Sequence, residues 1–275
     1  MKRTGSLQKL FIIALLMFLS SAAYSQNPYR LTAGARQVGL AFACVSTEGF
    51  WSSFHNQASL GYTEKFSIGI NQDSRFGIAE LSNKTFAFVI PSGNGALGAV
   101  YSYYGYTEYN RHTAGLSYGM MLGPKVSAGI QADFFSTRAA GNYENVHEIT
   151  FEAGFMYKPF ERWSLGLHLF NPLPGSISEH NLPAVIRVGT GFFFSSAFQG
   201  MVEVEASNHY AAMLRIGAEY EVYQNLFIRG GFLSEPLGFS FGFGYSGRLF
   251  QANLGFITHE NLGLSPSLSL VLFFR

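Results

Sequence analysis

From Lys65 to the C-terminus, apolar and polar residues alternate with a period of two. In the stretch beginning at Val126, the residues Val126, Ala128, Ile130, Ala132 and Phe134 take one face, while Ser127, Gly129, Gln131 and Asp133 take the other. Such alternation places a strand between an apolar environment and a polar one. Further along, Val202, Val204 and Ala206 oppose Glu203 and Glu205. Leu214, Ile216, Ala218 and Tyr220 oppose Arg215, Glu219 and Glu221, and Phe239, Phe241, Phe243 and Tyr245 flank Ser240, Gly242 and Gly244. A helix would scatter these charges around its circumference.

The pattern predicts an all-β chain of about fourteen strands, close to Lys65–Asn71, Lys84–Ile90, Gly95–Tyr104, Arg111–Met121, Lys125–Ser136, Glu148–Tyr157, Arg162–Leu169, Val185–Phe194, Phe198–Ala206, Ala211–Glu221, Asn225–Phe232, Gly238–Tyr245, Arg248–Phe256 and Ser265–Phe274. Connections after even strands are short, as in Pro91-Ser92-Gly93-Asn94 and Ser246-Gly247. Those after odd strands are mostly longer, as in Gln72 to Asn83, Thr137 to His147, Phe170 to Ala184 and Ile257 to Leu264. Short turns on one rim and longer loops on the other mark an outer-membrane barrel.

Composition decides where the apolar face points. Of the 275 residues 48% are hydrophobic, 16% aromatic and only 13% charged, whereas a soluble domain carries roughly 25% charged residues. Beyond the N-terminus no run approaches the roughly 18 consecutive apolar residues of a membrane helix. A secreted β-sandwich would have to wet faces lined with Phe. A transmembrane antiparallel barrel instead turns them to lipid, pairs every backbone N–H and C=O within the protein and leaves no open edge. Its lumen then collects Glu152, His168, Arg187, Glu203, Glu205, Arg215, Glu219 and Arg229. With an even strand number and both ends on the short-turn rim, both termini face the periplasm of a bacterial outer membrane.

Residues 1–25 read as an export signal: Lys2, Arg3 and Lys9 precede the apolar stretch Leu10 to Leu19, and Ala23-Tyr24-Ser25 is a small-x-small cleavage site. Without those three basic residues, 15 remain against 17 acidic ones, a net charge of about −2. A nucleic-acid partner would require a basic surface, so none is expected. Residues 26–64 do not alternate and precede the first strand, which predicts that they pack in or under the lumen of a barrel formed by residues 65–275.

Within this segment, Gly34-Ala35-Arg36 precedes a small-residue stretch, and His55-Asn56-Gln57-Ala58-Ser59-Leu60 stands just before the first strand. The order resembles the N-terminus of the PorV/PorQ family of the FadL-like barrels, which carries Gly-Ala-Arg followed by Asn-Pro-Ala-Gly-Leu. Phe170-Asn171-Pro172 and Leu182-Pro183-Ala184-Val185-Ile186-Arg187-Val188-Gly189 are similar to that family's later segments. Gln57 replaces the family's Pro and Ser59 its Gly, while Asn56, Ala58 and Leu60 are kept. The resemblance implies a fourteen-stranded barrel with an N-terminal hatch in which Gly34, Arg36, Asn56, Ala58 and Leu60 form the hatch motif and Asn56 hydrogen-bonds internally. The alternative for Asn56 is an ordinary turn residue. Phe50, Trp51 and Phe54 would line an apolar pocket beside the hatch or serve only to anchor it.

Two roles follow from the resemblance. PorV-like and PorQ-like members serve type IX secretion, with secretion components or secreted clients as partners. FadL-like members take up small hydrophobic molecules. A third reading, an outer-membrane lipolytic enzyme, lacks its motif: none of the seven His is followed by Ser two positions later, and no Gly-x-Ser-x-Gly elbow occurs, because the two runs with that spacing, Gly115 to Gly119 and Gly238 to Gly242, lie inside predicted strands with no helix after them. No His spacing suits a metal, and no cofactor is expected. The Gly-rich run Gly238 to Gly244 alternates with Phe inside a strand, unlike a phosphate loop. Glu203 and Glu205 share a face about 7 Å apart by the strand repeat, which suits glycoside chemistry or simple neutralisation by Arg187, Arg215 and Arg229. The chain is therefore expected to be non-enzymatic, with membrane lipid as its surroundings.

Overall fold

The computed structural model describes residues 32–141, 144–174 and 182–274; the predicted export signal lies outside them. Fourteen strands form one closed barrel. They are β1 (Ser67–Ser74), β2 (Ser82–Ser92), β3 (Gly95–Gly105), β4 (Tyr109–Gly123), β5 (Val126–Ala139), β6 (Val146–Phe160) and β7 (Trp163–Phe170). The ring continues through β8 (Val185–Phe193), β9 (Phe198–Ser207), β10 (Met213–Tyr223), β11 (Leu226–Ser234), β12 (Leu237–Ser246), β13 (Phe250–His259) and β14 (Gly263–Phe273). Each strand pairs antiparallel with its sequence neighbours, and β1 closes the ring on β14 from Ser67 opposite Phe273 to Asp73 opposite Ser267.

The two-residue period sorts the side chains as the chemistry of the two environments requires. Leu116, Ile130 and Phe239 stand outward, 70%, 63% and 58% exposed, while Ser117, Gln131 and Ser240 beside them are buried inside. An outer wall this apolar is stable only in hydrocarbon, and closure leaves no unpaired edge there. No helix among the described residues is long and apolar enough to cross a membrane. The strands make the crossing.

The strands run further than the alternation alone predicts, so the second rim carries shorter loops than expected. The loop expected from Ile257 to Leu264 shrinks to residues 260–262, because Thr258 and His259 still pair with Leu264 and Gly263. Gly263 takes φ 87°, a left-handed conformation open to glycine at little cost, and so closes the tight turn. Likewise Gln72 and Asp73, read from the sequence as loop, continue β1 opposite Lys84 and Asn83. The longer connections that remain are residues 75–81, 140–145 and 171–184.

Residues 32–63 lie inside the ring. A short helix, α1 (Ala35–Gly39), packs against β12, β13 and β14, and a 3-10 helix, Gln57–Tyr62, packs against β3 to β6. Phe50, Trp51 and Phe54 of the intervening stretch pack with Leu60 against Ala87, Val89, Val100 and Val271 of the wall. The Phe50 ring meets Trp51 and Phe54 edge-on, at 4.9 and 5.8 Å between centroids.

Candidate functional site

Three layers fill the lumen from rim to rim. The middle layer is a belt of buried charge that ties the N-terminal segment to the wall. Arg36 grips Glu219 with two parallel bonds, Nε to Oε2 at 2.8 Å and Nη2 to Oε1 at 2.7 Å, and Arg229 Nε donates to the same carboxylate at 2.5 Å. Burial works against the Arg36 charge, but Glu219 outweighs it and holds this guanidinium above its ordinary pKa. On the neighbouring strands Arg215 bridges Glu203 and Glu205 at 2.7 Å each, and Glu203 Oε2 accepts the backbone N–H groups of Cys44 and Val45. Arg215 thus satisfies the two carboxylates whose spacing admitted glycoside chemistry. Arg187 turns instead to His168 Nδ1 and the carbonyl of His55, while Glu152 accepts from Gln57 Nε2 and lies 2.9 Å from His168 Nε2.

The belt therefore contains all seven charges expected in the lumen: Glu152, Arg187, Glu203, Glu205, Arg215, Glu219 and Arg229 are each buried. Such groups are tolerable in a low-dielectric interior only when paired and hydrogen-bonded. Each finds a partner on the N-terminal segment or an adjacent strand. Inward glycines complete the seat. A methyl group at Gly119 or Gly129 would strike the carbonyl of Gln57, at Gly154 the side chain of Asn56, at Gly166 the carbonyl of Val45, and at Gly255 the carbonyl of Ala35. The abundance of glycine is thus a matter of clearance between two backbones.

Below the belt, on the short-turn rim, a cavity of about 480 Å³ is bordered by Arg36, Glu48, Phe50, Trp51, Lys65, Glu219, Arg229 and Arg248. Most of the residues around it are charged or polar, with Phe50, Trp51, Val89, Phe227 and Phe273 between them. Phe50 and Trp51 border it, while Phe54 belongs to the packed cluster beside it. Of the motif residues, Arg36 makes the Glu219 pair, Ala58 and Leu60 are fully buried, and Gly34 precedes α1 with φ 103°. Asn56 caps the 3-10 helix Gln57–Tyr62: its Oδ1 accepts from the N–H of Ala58, and its Nδ2 donates to the carbonyl of Val45.

Above the belt, the lumen turns apolar. Phe135, Phe170, Val185, Met213 and Leu233, each the inward residue near a strand end on the longer-loop rim, form one cluster with Ala41, and Ile257 packs on it. Beside it a chamber of about 130 Å³ is walled by Val38, Phe42, Phe76, Met213, Leu233 and Ile257, together with Thr32, Asp73, Arg75, Glu205, Arg215, Ser267 and His259. Helix α1 divides the lumen: Arg36 faces the polar cavity and, two residues on, Val38 faces the apolar one. The chamber residues escaped the sequence reading because an apolar residue in a strand looks lipid-facing. Their phase was the available signal, since Met213 falls in step with Arg215, Leu233 with Arg229, and Ile257 with Asn253.

No family model and no curated protein matches the sequence. Solved structures do match the fold. The toluene transporter TbuX of Ralstonia pickettii superposes with a TM-score of 0.67 at 12% identity, covering 88% of this chain and 98% of that one. A FadL homologue of Pseudomonas aeruginosa gives 0.66 at 13%, covering 92% and 100%. What these structures share with the chain is the barrel fold. The toluene transporter TodX of Pseudomonas putida matches as well, with a TM-score of 0.66 at 12% identity over 86% of this chain and 98% of that one.

Proposed function

We propose that this chain is a non-enzymatic channel of the bacterial outer membrane that admits small hydrophobic molecules. In this reading residues 1–25 direct export, residues 26–64 form the hatch, residues 65–275 form the barrel, and both termini face the periplasm. The observation that carries it is the apolar chamber at the longer-loop rim, where Val38, Phe42, Met213, Leu233 and Ile257 meet around about 130 Å³. That volume suits a single aromatic ring: an engineered protein cavity of about 150 Å³ lined by similar side chains binds benzene. A long acyl chain would not fit it. Two barrels of the same fold, TbuX and TodX, are toluene transporters, which supports the same class of passenger.

Toluene uptake by cells carrying the barrel tests the reading. Uptake is expected to saturate, and Leu233→Trp, which fills the chamber, should lower it by roughly tenfold, the scale of one lost binding contact of about 1.4 kcal/mol. A tryptophan variant that folds, by its gel mobility before and after heating, yet transports like the parent would refute the proposal.

The charged belt favours a second reading, a PorV/PorQ-type accessory of type IX secretion, because a lumen locked by ion pairs suits a scaffold. Affinity capture from mildly solubilised outer membranes separates the two. Co-purifying secretion components or a shared client domain support the accessory role, and a barrel free of them but enriched in one hydrophobic compound supports transport.

A further inference from the structure

The cavity at the short-turn rim carries more positive charge than negative. Two guanidinium groups on its border, Arg36 and Arg229, share a single carboxylate, Glu219. Glu48, also on the border, is neutralised by Lys158 of β6. Lys65, just before β1, and Arg248, in the turn between β12 and β13, are exposed, with Glu64 as the remaining carboxylate, and among the described residues neither forms an ion pair. Counting Lys158, five cationic side chains stand against three carboxylates, a net charge of +2. A surplus charge held in a partly buried site is screened little by salt, and a recess walled by protein concentrates its field.

The apolar part of the lining narrows the class of ligand. Phe227 of β11, in phase with Arg229, and Phe273 of β14 are half-buried on the border of the cavity. The Phe227 ring lies with its centroid 5.6 Å from the Arg229 guanidinium carbon, so aromatic face and positive charge already meet there. At about 480 Å³ the space has the size of a small-molecule site, in which apolar walls take the body of a ligand and a few charged groups fix its orientation. We infer, independently of the channel reading, that this cavity binds small organic anions with an aromatic body. The surplus charge, reached through the unpaired Lys65 and Arg248, draws the anionic group, and Phe227 and Phe273 take the rings. A cation of the same shape is repelled by the same field, and a neutral molecule gains nothing from it.

Equilibrium dialysis at low salt against the full-length barrel in phosphatidylcholine nanodiscs, with empty nanodiscs subtracted, tests this with three probes: 2-naphthoate, 2-naphthamide and acetate. Two fused rings exceed the single-ring chamber at the other rim, so the naphthyl probes report on this cavity. Binding of 2-naphthoate about tenfold or more tighter than 2-naphthamide is expected, the scale of hydrogen bonds to charged groups, and acetate, which has no rings to bury, should bind about tenfold or more weaker than 2-naphthoate. Lys65→Gln combined with Arg248→Gln removes the surplus charge without touching the belt. It should cut 2-naphthoate binding about threefold or more, the scale of exposed charge interactions, whereas Leu233→Trp, in the apolar chamber, should leave that binding unchanged. Equal binding of 2-naphthoate and 2-naphthamide, or of 2-naphthoate and acetate, overturns the inference, and neither comparison requires a variant to fold. Absence of 2-naphthoate binding overturns it too, as does binding undiminished by the double substitution or lost in folded Leu233→Trp. Toluene uptake decides the channel reading separately, and its failure would leave this site standing.

Discussion

Asn56 shows how much of the interior hangs on single polar side chains. Its Oδ1 accepts from Ala58 N at 3.1 Å and its Nδ2 donates to Val45 O at 2.5 Å, so one residue closes a 3-10 turn and pins a distant part of the same segment. Asn56→Ala removes the cap and leaves the Val45 carbonyl without that donor. A loss of about 2–3 kcal/mol of stability is expected, read as an earlier urea midpoint for the barrel in vesicles; an unchanged midpoint refutes the role. One of the two departures from the motif also acquires a physical account. Gln57, in place of a proline, extends its amide to Glu152 of the belt, a bond that proline cannot make. For Ser59 nothing in the structure supplies a reason: its hydroxyl is buried without a partner.

At the scale of the element, the alternation in the sequence was sufficient to place every strand, because lipid on one side and a polar lumen on the other penalise any slip of register by one residue. Strand ends were less legible. Gln72, Asp73, Thr258 and His259 are polar residues that read as loop, yet they pair because the barrel wall continues past the apolar band. The inward glycines carried a further message that composition could not convey. Their spacing follows the path of the N-terminal segment, and that path is set by contacts distant in sequence. Gly154→Ala is expected to force Asn56 and the backbone of residues 57–58 off the wall, costing about 1–3 kcal/mol as overpacking does. Gly123→Ala, where nothing lies within 4 Å, is the neutral control. Protease cleavage within residues 32–63 should rise in the first variant only; equal resistance in both would show that the seat has slack.

Across the whole molecule, the lumen is stratified: a polar cavity at one rim, a belt of paired charges at mid-height, an apolar chamber at the other rim. The charges in the belt were legible one at a time from their strand phase, but their pairing was not. Arg187 and Arg229, equally placed in sequence to neutralise Glu203 and Glu205, make bonds to His168 and to Glu219, choices that depend on which strands adjoin and where the N-terminal segment runs. The chamber was less legible still, since it is built from residues that look like lipid-facing ones displaced by a single position.

The belt also has an electrical meaning. Leu40, Cys44, Ser52 and Ala58 of the N-terminal segment are fully buried, so among the described residues the layer is packed, and an ion entering it would shed its hydration among groups already paired with one another. Reconstituted in a planar bilayer under an applied voltage, the barrel should behave as an insulator beside an open porin of similar strand number, and steady ohmic current through single copies would mean that the belt parts.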